Sequence, residues 1–266
     1  IDPFLMDENL RYKVERKEPE IETIQNFSDS LGILRATEKC NGSGDCRKLP
    51  SAGGTMCPSY RATRNEKDST RARANVLREY LTNSTQKNKF NHKELYDVFD
   101  LCLSCKACAS ECPSNVDVAA LKAEFLHQYY KSNKIPFRTK LFADNVKYNK
   151  LGSIAPFITN TILNLGLTKK IIGIASQRSI PKLANTTFES WYKKNKKSLK
   201  NKEKLKGEMY LFADEFTNYY DADIGKDTVH LLSNLGYKVN IIKHEESGRS
   251  FISKGLLEQA KKLANK

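Results

Sequence analysis

Long apolar runs are missing from this chain of 266 residues. No stretch reaches about 18 uncharged apolar positions, the shortest length that carries a helix across a bilayer. No secretory signal is visible, and the opening Ile1-Asp2-Pro3-Phe4 reads as an expression-vector remnant, set aside from the fold. Histidine is scarce: there are four, and the two that flank the main cysteine run, His92 and His127, fall outside any zinc-finger spacing. No G-x-G-x-x-G follows a strand pattern, so the dinucleotide fingerprint is absent. Cysteine occurs an odd number of times, seven. A chain this long can bury a core without disulfides, and the pattern is not a secreted disulfide framework.

Arginine is also missing from the run Tyr192–Gly207, "YKKNKKSLKNKEKLKG", which carries much of the formal charge of +14. The run lacks the interleaved aromatics of a single-strand-binding surface and reads as a solvated linker. No DNA- or RNA-binding motif accompanies it. Nucleic acid is not expected as a partner.

What is present divides the chain into four parts. Residues 1–35 are the remnant and a polar lead-in without a sustained period. Residues 36–190 are helical after a loop, 191–207 are the linker, and 208–266 change to an α/β pattern. Within the second part, "STRARANVLREYL" places Ala72, Val76, Leu77, Tyr80 and Leu81 on one side of a helix. "HKELYDVFDLC" places Leu95, Val98, Phe99 and Cys102 at helical spacing, and a further helix begins near Asp117 with Val118, Leu121, Phe125, Leu126 and Tyr129 inward. Ile154–Ala175 reads as amphipathic helices against a core, with a peripheral membrane or partner surface as the alternative.

The last part reads as strand 208–216, a helix over 221–236 with Ile224, Leu231, Leu232 and Leu235 inward, strand 237–242 and helix 252–264. Two strands are too few for an independent sheet, so this part is expected to be a fragment or to be completed by an assembly.

The chemistry lies in the cysteines. "LCLSCKACASECP" sets Cys102, Cys105, Cys108 and Cys112 at C-x2-C-x2-C-x3-C-P, the bacterial ferredoxin run. Two-residue gaps let a tight loop offer thiolates to three corners of a cubane. The fourth cysteine of such a run ligates the other cluster of a two-cluster protein. The upstream "KCNGSGDC…MCP" holds Cys40, Cys46 and Cys57, and Cys57 repeats the C-P ending. An exchange of ligands then uses all seven. Cluster one takes Cys57, Cys102, Cys105 and Cys108 as a 4Fe–4S centre. Cluster two takes Cys40, Cys46 and Cys112, which suits a 3Fe–4S centre, or a second 4Fe–4S centre whose odd iron is held by Ser43 or solvent. Backbone amides of Gly42, Gly44, Gly53 and Gly54 are candidate donors to sulfur, plain turn chemistry being the other reading.

These two runs resemble, in reversed order, the helical two-cluster ferredoxin domain of the succinate dehydrogenase iron–sulfur subunit, whose C-x5-C run belongs to a 3Fe–4S centre. More closely, "KCNGSGDCRK…GTMCPSYRATRNEKDSTRARA" with "LCLSCKACASECPSNVD" resembles the iron–sulfur region of FAD-linked oxidases of the D-lactate, glycolate and 2-hydroxyglutarate dehydrogenase types. "LFADEFTNYYDADIGKDTVHLLSNLGYKV" is similar to the start of the CCG domain of that family and of heterodisulfide reductase subunits. Where those proteins carry Cys-Cys-Gly, this chain reads Glu246-Ser247-Gly248.

The expected fold class is thus α+β: a mainly helical two-cluster ferredoxin domain followed by a partial βαβα domain. The resemblance implies an electron-transfer module. FAD would sit on a domain or subunit outside these residues, and a quinone or cytochrome would accept the electrons. The alternative is a structural iron–sulfur or zinc-binding interaction module. Cysteine usage fits a reducing compartment, so a cytoplasmic location is expected, with the inner membrane face as its variant.

Overall fold

A computed structural model describes residues 5, 8, 12, 15–199 and 205–266. The vector-like opening, further positions of the lead-in before 15, and 200–204 of the lysine run lie outside the described residues. The protein is mainly helical, with one two-stranded parallel sheet among the described residues. Its contacts divide it into two compact units, Ile1–Asn133 and Lys134–Lys266.

The first unit holds α1 (Ile33–Glu38), α2 (Pro58–Thr63), α3 (Thr70–Asn83), α4 (Lys93–Asp100), α5 (Ala107–Glu111) and α6 (Val118–Tyr130). α3 packs against α1, α4 and α6. Its start is capped by Ser69, which accepts the Ala72 amide at 3.0 Å. Asp117 caps α6 in the same way through Ala120. The expected stripes deliver Leu77, Leu81, Leu95, Phe99 and Phe125 to the centre, all fully buried, and Phe99 stacks on Phe125 with centroids 5.0 Å apart. Half of the lead-in is tied to this core. Buried Glu124 of α6 accepts the amides of Ile24 and Gln25 at 3.1 and 3.0 Å, and Gln128 donates to the Glu22 carbonyl.

The second unit holds α7 (Phe137–Ala143), α8 (Asn145–Gly152), α9 (Pro156–Asn164), α10 (Gly166–Ile172), α11 (Phe188–Asn195), β1 (Gly207–Leu211), α12 (Glu215–Tyr219), α13 (Ala222–Asn234), β2 (Tyr237–Ile241), α14 (Arg249–Ser253) and α15 (Leu257–Ala264). β1 and β2 pair in parallel with Gly207 opposite Tyr237. Several features differ from the sequence reading or extend it. First, the contacts group residues 134–266 together, across the expected divisions at 190 and 207. Phe188 of α11 is fully buried among Ala213, Ala222, Val229 and Val239, and α11 carries helix into the expected linker as far as Asn195.

Second, the strand expected over 208–216 stops at Leu211, because Asp214 turns the chain by accepting the Thr217 amide at 2.7 Å. Third, α13 is rotated from the expected face. Ala222, Gly225, Val229 and Ser233 are inward, whereas Ile224, Leu231 and Leu235 are exposed; of the expected four only Leu232 packs on the core. The bulk of Phe188 decides this. A Cβ at position 225 would stand 2.7 Å from its ring, so the ring selects the glycine face. The helix expected over 252–264 is likewise two, separated at Gly255, whose φ is 70°.

Fourth, α9 and α10 do not lay their apolar stripe on a core, and neither buries a residue. α9 packs by its polar side: Asn160 bonds both the amide and the carbonyl of Leu183, and Thr159 donates to the Gly152 carbonyl. Phe157 and Ile158 face outward, 82% and 59% exposed.

Candidate iron–sulfur site

The loop after α4 is built to turn its cysteines one way. The Cys102 amide closes onto the Phe99 carbonyl at 3.0 Å. Ser104 and Lys106 then adopt left-handed backbone, with φ of 53° and 63°. Each such non-glycine residue costs on the order of 1–3 kcal/mol and persists only where its surroundings impose it. Alternating hands also point successive amides into one concavity, a geometry that favours anions. Upstream, Cys57 is itself left-handed (φ 54°) and caps α2, with Pro58 at the first helical position.

These turns bring Cys57, Cys102, Cys105 and Cys108 around a single cavity, together with Arg73. Cys57 thus lines one cavity with the three cysteines of the downstream run, the set that the sequence reading assigns to cluster one. Cys105 is exposed and Cys102 half-buried, while Cys57 and Cys108 are buried. Of the other three, Cys40 and Cys46 are buried in the core of the same unit and Cys112 packs partly buried against it. Cys46 lies within electrostatic reach of Cys57 and, less strongly, of Cys40. Ser43 is exposed, and its backbone amide donates to the Asn41 side chain at 3.1 Å. Among the described residues no three His, Cys, Asp or Glu side chains converge to single-ion distances; a cluster asks for a wider set, one thiolate on each iron.

Helix starts serve the buried sulfurs. Burial pushes the Cys108 thiol up to about 11, and the backbone N–H groups of Val118 and Ala119, at the start of α6, pull against it. Burial also raises Cys46, opposed chiefly by the Arg71 amide at the start of α3. First-turn N–H groups have no partner within their own helix, and the helix dipole adds to their pull on a thiolate. These amides favour the charged form of the buried Cys46 and Cys108 sulfurs. Gly54 has a different use. With φ at 65°, its missing Cβ lets Glu111 approach to within 2.6 Å of where one would stand, and Glu111 accepts the amides of Thr55 and Met56.

Two buried cations attend the Cys102–Cys108 loop, and the sequence pattern alone did not single them out. Lys122 of α6 donates to the Cys102 carbonyl at 2.6 Å. Arg73 of α3 is 2% exposed. Its Nε donates to the Val98 carbonyl at 3.0 Å and its Nη1 lies 3.7 Å from the Cys57 sulfur. Its Nη2 is buried with no hydrogen-bond partner among the described residues. The legible signal was a charged residue four positions before Leu77 on the inward stripe of α3. A guanidinium buried without a carboxylate is costly unless an anion faces it. A cluster held by four thiolates is such an anion, so the residues around this cavity fit a 4Fe–4S centre.

Comparison with known proteins follows the same line. Residues 39–117 match the family described as 4Fe-4S dicluster domain. Over those residues the chain is similar to that family. Outside it the likeness continues. The chain is 29% identical to D-2-hydroxyglutarate dehydrogenase of Escherichia coli (strain K12) over a 282-residue alignment that covers 87% of this chain and 27% of that protein. It is 28% identical to the Haemophilus influenzae enzyme of the same name, covering 87% of this chain and 26% of that one. One subunit of the anaerobic glycerol-3-phosphate dehydrogenase of Escherichia coli (strain K12) is 28% identical over 122 residues, 43% of this chain and 30% of that protein. The chain therefore spans about a quarter of the length of the D-2-hydroxyglutarate dehydrogenases it matches. No solved structure matches it. The resemblance to the iron–sulfur region of 2-hydroxyglutarate dehydrogenase-type oxidoreductases holds.

At Glu246-Ser247-Gly248, where the sequence resemblance sets a Cys-Cys-Gly, the Ser247 hydroxyl donates to buried Glu215 at 2.5 Å and Arg249 pairs with Asp214. These side chains form a polar clasp between α12 and the start of α14.

Proposed function

We propose that this chain is the electron-transfer module of a flavin-linked 2-hydroxy-acid oxidoreductase. Cys57, Cys102, Cys105 and Cys108 hold a 4Fe–4S centre; Cys40, Cys46 and Cys112 hold a 3Fe–4S centre, or a second 4Fe–4S centre with a non-cysteine ligand. When bound, the clusters supply one-electron transfer between a flavin on another domain or subunit and an acceptor such as a quinone or cytochrome. The observation that carries the reading is the gathering of Cys57 with the three downstream cysteines around one cavity that also receives a buried guanidinium.

This chain's own residues do the rest. Burial and the amides at the starts of α3 and α6 hold the sulfurs; Lys122 fixes the loop at Cys102. Exposed Cys105, beside Leu103 at 70% exposure, leaves cluster one a short path to a partner. The outward face of α9 and α10 is where we place contact with a partner or a membrane surface. Among the described residues no helix is long and apolar enough to cross one. The reducing interior of the cell is the compartment that suits this cysteine usage. Residues 208–266 serve as a CCG-like domain without the chemistry of the cysteine pair.

The test is iron and zinc content with low-temperature EPR on protein purified without oxygen, as isolated and after dithionite. About seven irons, an oxidised 3Fe signal and a reduced 4Fe signal are expected from four and three thiolates. Stoichiometric zinc without a signal overturns the reading.

A further inference from the structure

We propose that Arg73 is a positioning residue that sets the reduction potential of the cluster at Cys57, Cys102, Cys105 and Cys108, raising it through a buried positive charge against the Cys57 sulfur. The inference rests on the electron-transfer reading above and deepens it.

Three observations carry it. The side chain is buried to 2% exposure, where the dielectric is low and a charge acts strongly on its neighbours. One edge of the guanidinium is anchored at the Val98 carbonyl, 3.0 Å away, so the group is held and cannot swing out. The other edge turns to the cavity: Nη1 stands 3.7 Å from the Cys57 sulfur, and Nη2 has no partner among the described residues. Of buried Asp68, Oδ2 accepts the Thr63 hydroxyl at 2.7 Å, Oδ1 has no hydrogen-bond partner among the described residues, and the backbone carbonyl lies 3.1 Å from the Cys57 sulfur. Nη1 thus sets the guanidinium's charge against the Cys57 sulfur.

The same helix supplies the contrast. Arg71, two residues earlier, faces Cys46 and Cys40 but is paired with Glu66 at 2.9 Å. The cation beside the second set of cysteines is partly neutralised; the one beside the first is not. Reduction adds one electron to a cluster already anionic, so a fixed neighbouring cation stabilises the reduced state more than the oxidised one. Hydrogen bonds to sulfur and local charge are among the factors that set cluster potentials.

The experiment compares the full chain with Arg73→Gln and Arg73→Lys, all prepared without oxygen. Each is titrated with dithionite in redox mediators while EPR follows the reduced 4Fe signal. For Arg73→Gln the ratio of reduced to oxidised cluster at a fixed potential is expected to fall about tenfold, which is about 59 mV for a one-electron couple. The signal of the second centre should titrate as in the parent. Arg73→Lys keeps the charge and should stay near the parent potential. An unchanged potential in Arg73→Gln, or equal shifts in both variants, overturns the inference. Should Arg73→Gln fail to retain the cluster, Arg73→Lys decides: loading at the parent potential supports a charge role, and loss in both variants makes Arg73 a folding residue only. A parent protein without iron signals fails the electron-transfer reading itself, a result distinct from all of these.

Discussion

The Glu111 carboxylate, set between Cys108 and Cys112 on α5, accepts the backbone amide of Thr55 at 2.8 Å. It also accepts the Thr55 hydroxyl at 2.5 Å and the Met56 amide at 3.0 Å. One side chain of the downstream cysteine run thus grips the two residues that lead into Cys57. The Thr55 side chain is the foremost cause that holds the Glu111 carboxyl below its ordinary range, followed by the two amides.

Glu111→Ala should therefore leave every cysteine in place yet loosen Cys57. The expected outcome is faster loss of iron from cluster one under a chelator, with Glu111→Gln intermediate because one amide oxygen still accepts. Iron release timed beside the reduced 4Fe signal checks this; equal release in all three proteins would remove Glu111 from the ligand geometry.

Ser43→Cys tests the composition of cluster two. Ser43 lies between Gly42 and Gly44, both with positive φ, on an exposed turn between Cys40 and Cys46. A thiol there supplies a fourth ligand, and the oxidised 3Fe signal should give way to a reduced 4Fe signal with about one more iron per chain. Persistence of the 3Fe signal would mean that position 43 does not face the centre.

Gly225→Ala pits two effects against each other. Alanine in a helix interior gains about 1 kcal/mol over glycine. Here the new Cβ would stand 2.7 Å from the Phe188 ring, and overpacking of a core costs about 1–3 kcal/mol. The clash should win, with a net loss of thermal stability. Phe188→Ala alone should cost about 3–5 kcal/mol. In the double variant the two penalties should be less than additive, since the ring that clashes is gone. A double-mutant cycle by urea unfolding reads the coupling.

The polar clasp of the second unit predicts an acid response. Burial alone would raise the Asp214 carboxyl; the Thr217 amide and the Arg249 guanidinium outweigh it and hold the group below its ordinary value. Its native pKa is then lower than the unfolded one, near about 3.9. Its contribution is complete above that unfolded value and is lost as pH falls through the native value. Asp214→Asn should flatten the part of the stability profile that lies below about pH 4, measured by urea unfolding. An unaltered slope would mean that the carboxylate adds nothing there.

Much of the site was legible because its chemistry is local. The two-residue gaps among Cys102, Cys105 and Cys108 are a property of the loop itself, and the C-P endings at Cys57 and Cys112 mark where each run turns into its next element. The pairing of Cys57 with the downstream run followed from counting ligands, and the left-handed residues 57, 104 and 106 put those four around one cavity. Arg73 was harder to read. On the sequence it interrupts an apolar stripe, and only the packing of α3 turns its guanidinium from the helix towards Cys57.

The helix faces divide the same way. In α4, Leu95 and Phe99 are the large apolar residues at helical spacing and they are the buried ones. In α13 several faces offer leucine or isoleucine, so periodicity cannot choose among them; the Phe188 ring chooses, through Gly225. In α9 the apolar stripe is real yet points outward, because Thr159, Asn160 and Asn164 bond a neighbouring segment of the same unit. Ligand types, their spacing and the helices that carry them depend on neighbours a few positions apart, so they could be read directly along the chain. Which face each helix buries, and which charge meets which sulfur, depends on side chains brought together from distant positions, and folding in three dimensions settles both.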